Sequence, residues 1–286
     1  MGVMAAARAV DPASPRRARK AAPASARKVA PANARKVAPA SAGKAAPANA
    51  RKVAPESAPQ VARGPMPELA LDLDGHPGLL VRPAEARALY VLAHGAGAGM
   101  RHAFLGSIAG ALAARGVATL RWEFPYMAAG KPRPDRADVA EAAVRAVWLA
   151  ARARFADLAM FAGGKSFGGR MTSRAHAAAA LPGLCGVIFL GFPLHPPDKP
   201  GIERADHLAA AGGPLLFIQG DRDELAGLRL LRPVVRQLGA RAALHVIDAA
   251  DHGFDVQVRS GRTRSDVLDE IADTVAGWIA VHAAQR

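Results

Sequence analysis

From residue 65 onward, short apolar runs alternate with helix-length amphipathic stretches, and no other feature constrains the fold as tightly. Residues 88–93, 117–122, 158–162, 186–190, 215–218 and 243–247 each read as a buried strand. Helices are expected near 103–115, 137–154, 169–181, 202–211, 225–238 and 264–283, between or after those strands. Two short runs, 69–73 and 79–81, read as a leading antiparallel pair. Strands apolar on both faces and separated by helices imply a mainly parallel sheet with helices on both faces. In such sheets the ligand crevice lies beyond the carboxyl ends of the strands.

Composition divides the chain near residue 64. Residues 1–64 hold 13 Lys or Arg against Asp11 and Glu56, a net of +11 out of +14 for the chain, which leaves +3 for residues 65–286. Prolines at 23, 31, 39, 47 and 55 mark an eight-residue repeat close to Ala-Pro-Ala-Ser/Asn-Ala-Arg-Lys-Val. A proline every eight residues interrupts any helix, and the repeat has almost no large apolar side chains to bury. Residues 1–64 are therefore expected to be a disordered, cationic tail, and 65–286 the folded domain. Such a tail suits non-specific binding of nucleic acid or another polyanion through phosphate neutralisation; the alternative is a solvated extension without a partner. It has no aromatic residues to stack on bases.

Cys185 is the sole cysteine, so no intrachain disulfide can form. In its apolar run it reads as a small buried strand residue. No run reaches the ~18–20 apolar residues of a membrane span, and the basic N-terminus lacks the apolar segment of a secretory signal. A cytoplasmic location is the expectation.

The pentapeptide Gly164-Lys165-Ser166-Phe167-Gly168 matches G-x-S-x-G, with a strand expected before it and a helix after it. That is the context of a nucleophile elbow, where a tight turn presents a serine hydroxyl above the sheet. A serine hydroxyl needs an adjacent base, itself oriented by an acid. Asp221 and Asp223 follow the run at 215–218, and His252 follows the run at 243–247. Among the histidines of the body, His252 alone combines the order serine, acid, histidine with a strand-end loop and a following glycine. Asp223 is preferred over Asp221, because Gly220-x-x-Asp223 lets the chain turn over the strand end first; Asp223 also reads as a helix N-cap.

An acyl-transfer site further needs donors for the developing oxyanion. The Phe167 N–H follows the nucleophile, and the Ala96 N–H is the candidate from His94-Gly95-Ala96-Gly97-Ala98-Gly99. This small-residue loop could instead cradle phosphate, though it matches neither dinucleotide nor Walker spacing. His94 reads as structural, and Lys165 has no assigned role. Tyr126 and Met127, within 124–136, and His195, in the Pro-rich loop 193–199, are expected to line the acyl or leaving-group pocket.

Several blocks together resemble the α/β-hydrolase superfamily. They are His94-Gly95-Ala96-Gly97, Trp122-Glu123-Phe124-Pro125-Tyr126-Met127, Gly163 to Arg170, Gly191-Phe192-Pro193-Leu194-His195-Pro196-Pro197, Gln219 to Asp223, and Asp251-His252. More narrowly, the body resembles the group that includes testis-expressed protein 30 and the third subunit of the NSL complex, related to dienelactone hydrolases. The resemblance spans about 70–285. It implies a serine nucleophile at Ser166 with Asp223 and His252 completing a triad. The elbow differs from that of dienelactone hydrolases, which carry cysteine there. The expected protein is thus an α/β-hydrolase without a large cap domain, acting on a small acyl substrate with no metal or organic cofactor. The alternative is a weakly active or inactive interaction module on the same scaffold, tethered to polyanions by the tail.

Overall fold

A computed structural model describes residues 66–284. The basic repeat expected over 1–64 lies outside the described residues. The chain begins with β1 (Leu69–Asp72) and β2 (Pro77–Val81), an antiparallel pair, as the sequence suggests. β3 (Ala88–Ala93), α1 (Ala103–Ala113), β4 (Val117–Trp122), the single turn α2 (Pro125–Ala128) and α3 (Ala137–Arg154) follow. Next come β5 (Ala159–Lys165), α4 (Phe167–Ala178), β6 (Leu184–Leu190), β7 (Leu215–Gly220), α5 (Leu228–Leu238), β8 (Ala242–Ile247) and α6 (Arg264–Ala283). The eight strands form one sheet in the order β1-β2-β4-β3-β5-β6-β7-β8. β4 through β8 run parallel, and β2 joins β4 antiparallel.

Side chains alternate across the strands, so each central strand feeds two layers. On β3, Ala88, Tyr90 and Leu92 pack with Phe104, Leu105 and Ile108 of α1 and Val267, Ile271 and Val275 of α6. Leu89, Val91 and Ala93 point to the other face, with Val144, Val147 and Trp148 of α3 and Met171 of α4. A third cluster joins Phe189, Phe192 and Phe217 to Leu231 of α5.

Several boundaries differ from the sequence expectation. β5 runs on to Lys165 and delivers the chain directly to Ser166, and α4 starts at Phe167 rather than 169. The helix expected over 202–211 is a 3-10 helix, Glu203–Ala209, and α5 starts at Leu228 because residues 221–227 form turns over the end of β7. Cys185 is half-buried near the start of β6, not buried. The connection from β6 to β7 holds only the short 3-10 helix, so no lid domain covers the sheet here. No helix among the described residues is long and apolar enough to cross a membrane.

Candidate active site

Five neighbouring strands, β3, β5, β6, β7 and β8, send their carboxyl ends to one rim of the sheet. The loops leaving them carry Ala96, Ser166, His195, Asp223 and His252 respectively.

At the end of β5, Ser166 has φ 49° and ψ −112°. A non-glycine residue there stores on the order of 1–3 kcal/mol. Neighbouring contacts hold it: the Ser166 N–H donates to the Leu190 carbonyl (3.1 Å). A Cβ at Gly164 would lie 2.2 Å from the Ala93 oxygen, and one at Gly168 would lie 2.5 Å from the His94 oxygen. Only hydrogen fits at either position, so α4 can press against the end of β3. Ser166 occupies the N-cap of α4 without a side-chain cap bond, which leaves its hydroxyl free.

That hydroxyl lies 2.8 Å from His252 Nε2. His252 Nδ1 lies 2.6 Å from Asp223 Oδ2. An ionised carboxylate only accepts, so the ring carries its proton on Nδ1 and offers the Nε2 lone pair to the serine. Asp223 is 3% exposed and buried in a tailored setting. Its Oδ1 accepts from the Leu225 N–H (2.8 Å), and its Oδ2 also accepts from the Gln219 amide. Asp223 thus anchors the turn and faces the histidine at once, with one oxygen for each task. Gln219 is itself oriented, because its Oε1 accepts from the Phe192 N–H (3.0 Å). Asp221 lies exposed in the turn.

Lys165 reaches under His252 rather than into solvent. Its Nζ donates to the His252 carbonyl at 2.5 Å and lies 5.3 Å from the centre of the Phe254 ring. Burial lowers its pKa to about 8, against the opposing pull of Asp223 and Asp251. The His252 loop is further fixed by Asp251 Oδ1, which accepts from the N–H groups of Gly253 (2.8 Å) and Asp255 (3.0 Å).

The loop after β3 is pinned from behind. The Phe124 N–H donates to His94 Nε2 (3.0 Å), so the ring proton sits on Nδ1 and is donated to the Gly95 carbonyl (2.7 Å). The Tyr126 hydroxyl lies 2.9 Å from the Ala96 oxygen and 3.3 Å from the Gly95 oxygen. In a trans peptide the N–H points opposite to the carbonyl. Fixing these two carbonyls on the protein side turns the Ala96 and Gly97 N–H groups toward the cavity that the loop lines. Glu123 completes the support by accepting from the Met100 N–H (3.0 Å). The Phe167 N–H, first in α4, has no partner within its helix.

Tyr126 therefore differs from the sequence expectation: it is 1% exposed and sits behind the loop instead of lining the cavity. Burial, with Glu123 and Asp135 nearby, pushes its pKa up to about 12, so the phenol stays a donor at any working pH. Met127 is half-buried and packs against the core cluster that contains Tyr126. His195 does line a cavity next to His252. Other histidines are engaged elsewhere, His176 with Gly212, His207 with Ser173 and His245 with Glu270.

Two cavities meet at His252. An apolar one of about 320 Å³ is bounded by Ala96, Phe104, Leu105 and Ser166. A polar one of about 650 Å³ is bounded by His195, Asp198, Arg222 and Glu224. Leu225, His252 and Gly253 form the wall between them. Among the described residues, no group of three or more His, Cys, Asp or Glu is arranged to hold a metal.

A family model described as an alpha/beta hydrolase domain matches residues 86–280, which takes in this whole rim. The chain belongs to the alpha/beta hydrolase family. Solved structures with the same fold include a serine hydrolase homologue from Coxiella burnetii, at 18% identity and a TM-score of 0.58, covering 73% of this chain and 95% of that one. A dienelactone hydrolase from Anabaena variabilis matches at 18% identity and a TM-score of 0.59, over 76% and 98%. A serine hydrolase without a lid from Xanthomonas campestris matches at 20% identity and 0.55, over 78% and 96%. At these identities the likeness speaks for the fold, and the chemistry rests on the hydrolase's own side chains.

Proposed function

We propose that this alpha/beta hydrolase cleaves an ester, thioester or similar activated acyl bond through a Ser166–His252–Asp223 triad. The observation that carries the reading is the unbroken hydrogen-bond chain from a strained serine hydroxyl through His252 to a buried carboxylate. In the first half-reaction His252 Nε2 takes the Ser166 proton as Oγ bonds to the substrate carbonyl carbon. The carbonyl electron pair moves to oxygen, where the Ala96 and Phe167 N–H groups receive it. Collapse of that intermediate expels the alcohol or thiol, protonated by His252, and leaves an acyl-serine. Water, deprotonated by the same imidazole, then releases the acid and restores Ser166. Asp223 stays ionised throughout and stabilises the imidazolium.

Base catalysis of this kind contributes on the order of 10²–10⁴-fold. Each oxyanion donor is worth about 10²–10³-fold. The support of Gly95 and Ala96 by His94 and Tyr126 favours this reading, since oxyanion donors act best when fixed before the charge develops. A serine at the elbow and the block likenesses noted above favour kinship with the small group that includes testis-expressed protein 30 over a dienelactone substrate. The test is covalent labelling with a fluorophosphonate, followed by turnover of p-nitrophenyl butyrate. Wild type is expected to label and turn over, and Ser166→Ala to do neither. Equal labelling of both proteins, or of neither, refutes the proposal.

A second reading draws on the +11 charge of residues 1–64. In it the tail binds polyanions non-specifically and the folded body serves as the tethered module.

A further inference from the structure

The two cavities beside His252 differ in chemistry, and Ser166 opens only into the apolar one. That cavity also carries the Ala96 loop, so a carbonyl seated there places its acyl chain against Phe104 and Leu105. The other ester oxygen must then face His252 Nε2, which returns the proton to it. A leaving group thus passes over the wall made by Leu225, His252 and Gly253 into the polar cavity.

The polar cavity presents acceptors far more than donors. His195 is 4% exposed, and its Nδ1 donates to the Pro196 carbonyl (2.9 Å). Nε2 is left as a bare acceptor, with no protein partner among the described residues. Asp198, Glu224 and Asp251 add carboxylates to the same lining. Asp251 is partly offset by the Lys165 ammonium on the far side of His252. Arg222 is the sole guanidinium in the lining, and it bends toward the Ala249 carbonyl (3.4 Å). A wall of carboxylates and an unprotonated imidazole nitrogen is complementary to a group that donates hydrogen bonds and carries positive charge. Burying an acceptor such as His195 Nε2 against an apolar or anionic group leaves it unpaired, which discriminates against such substrates.

We propose that the polar cavity is the leaving-group pocket and that it selects esters of ammonium-bearing alcohols, the acyl chain lying in the apolar cavity. This rests on the serine hydrolase reading above. It adds no new bond-making step, since the alcohol leaves with the proton returned by His252.

Three butyrate esters of matched size test it at pH 7. They are the 2-(dimethylamino)ethyl ester, which is cationic; the 3-methylbutyl ester, its neutral carbon isostere; and the ester of 3-hydroxypropanoate, which is anionic. Rates are divided by each ester's uncatalysed hydrolysis. The expected result is kcat/KM about tenfold higher for the cationic than for the neutral ester, and lowest for the anionic one. The preference should shrink at high salt, and the paired substitution Asp198→Asn with Glu224→Gln should bring the cationic-to-neutral ratio close to one. Fluorophosphonate labelling of that variant at Ser166 verifies that its site is folded. Turnover of the neutral ester with a ratio of one or below overturns this proposal alone. So does a ratio left unchanged in the labelled double variant. No turnover of any ester, with no Ser166-dependent labelling, overturns this proposal and the hydrolase reading together.

Discussion

Tyr126 sits behind the loop after β3, and Lys165 borders the apolar cavity while its amine reaches under His252. The Tyr126 hydroxyl holds two carbonyls of the loop after β3 and thereby aims the Ala96 N–H. Removing the hydroxyl by Tyr126→Phe keeps the ring packing against Phe124 and Phe167 but frees the loop. The expectation is a fall in kcat of about tenfold with little change in KM, less than outright loss of an oxyanion donor. A rise in KM at constant kcat would instead place Tyr126 among substrate contacts. Lys165 predicts a pH dependence of stability. Its folded pKa of about 8 lies below the ordinary 10.5, so between those values the unfolded chain holds a proton that the folded protein has lost. Stability contributed by this group therefore rises with pH across pH 8–10.5 and is level below it. The Tm of wild type minus that of Lys165→Met should climb through that window, and a flat difference would show that the amine is not desolvated. The meeting of Ser166, Asp223 and His252 was legible in sequence, because their order and strand-end positions leave little freedom. The direction of Tyr126 was not, because its partners are backbone carbonyls that have no letter in the sequence. Gln219 gave one faint signal, a polar residue closing the apolar run Leu215 to Ile218, and a buried amide there had to find partners.

At the level of elements, the strands were more legible than the turns between them. Strands buried on both faces announce themselves as apolar runs, and β3 and β4 appear with the bounds expected. Elements beyond β6 and β7 were less so. Residues 203–209 contain the helix formers Glu203, Arg204 and Ala205, yet wind as a 3-10 helix whose Ala205 and Leu208 pack in one cluster with Phe192 and Phe217. α5 starts late because Asp223 Oδ1 takes the Leu225 amide into a turn instead of opening a helix. α6 begins with a capping box: Thr263 Oγ1 accepts from the Asp266 N–H (3.1 Å), and Asp266 Oδ2 accepts from the Thr263 N–H (2.7 Å). Thr263→Ala is expected to destabilise the fold by about 1 kcal/mol, a fall in Tm of roughly 2–4 °C. Ester turnover at 25 °C should be unchanged, since the Thr263 side chain bonds only within the cap, to Asp266, and touches none of Ser166, Asp223 and His252. Lost activity without a lower Tm would contradict that separation.

For the whole molecule, charge and chemistry are divided along the chain. The +11 of residues 1–64 stands apart from a nearly neutral body. Deleting them is expected to leave kcat/KM for p-nitrophenyl butyrate unchanged and to abolish binding to a DNA duplex, which in the full chain weakens steeply with salt. Binding that survives the deletion, measured by fluorescence anisotropy, would place the polyanion surface on the body. Within the body, the sheet ends at β8, whose residues are mostly half-exposed and which hydrogen-bonds to β7 on one side only. His252 hangs from that last strand, while Ser166 rises from the sheltered middle. The hydrogen-bond chain from Ser166 to His252 therefore joins the sheltered middle of the sheet to one of its two edges. Under the proposed mechanism, fraying at β8 is expected to end turnover while the interior around β3 and β5 stays folded, so heat should abolish ester hydrolysis before it unfolds the core.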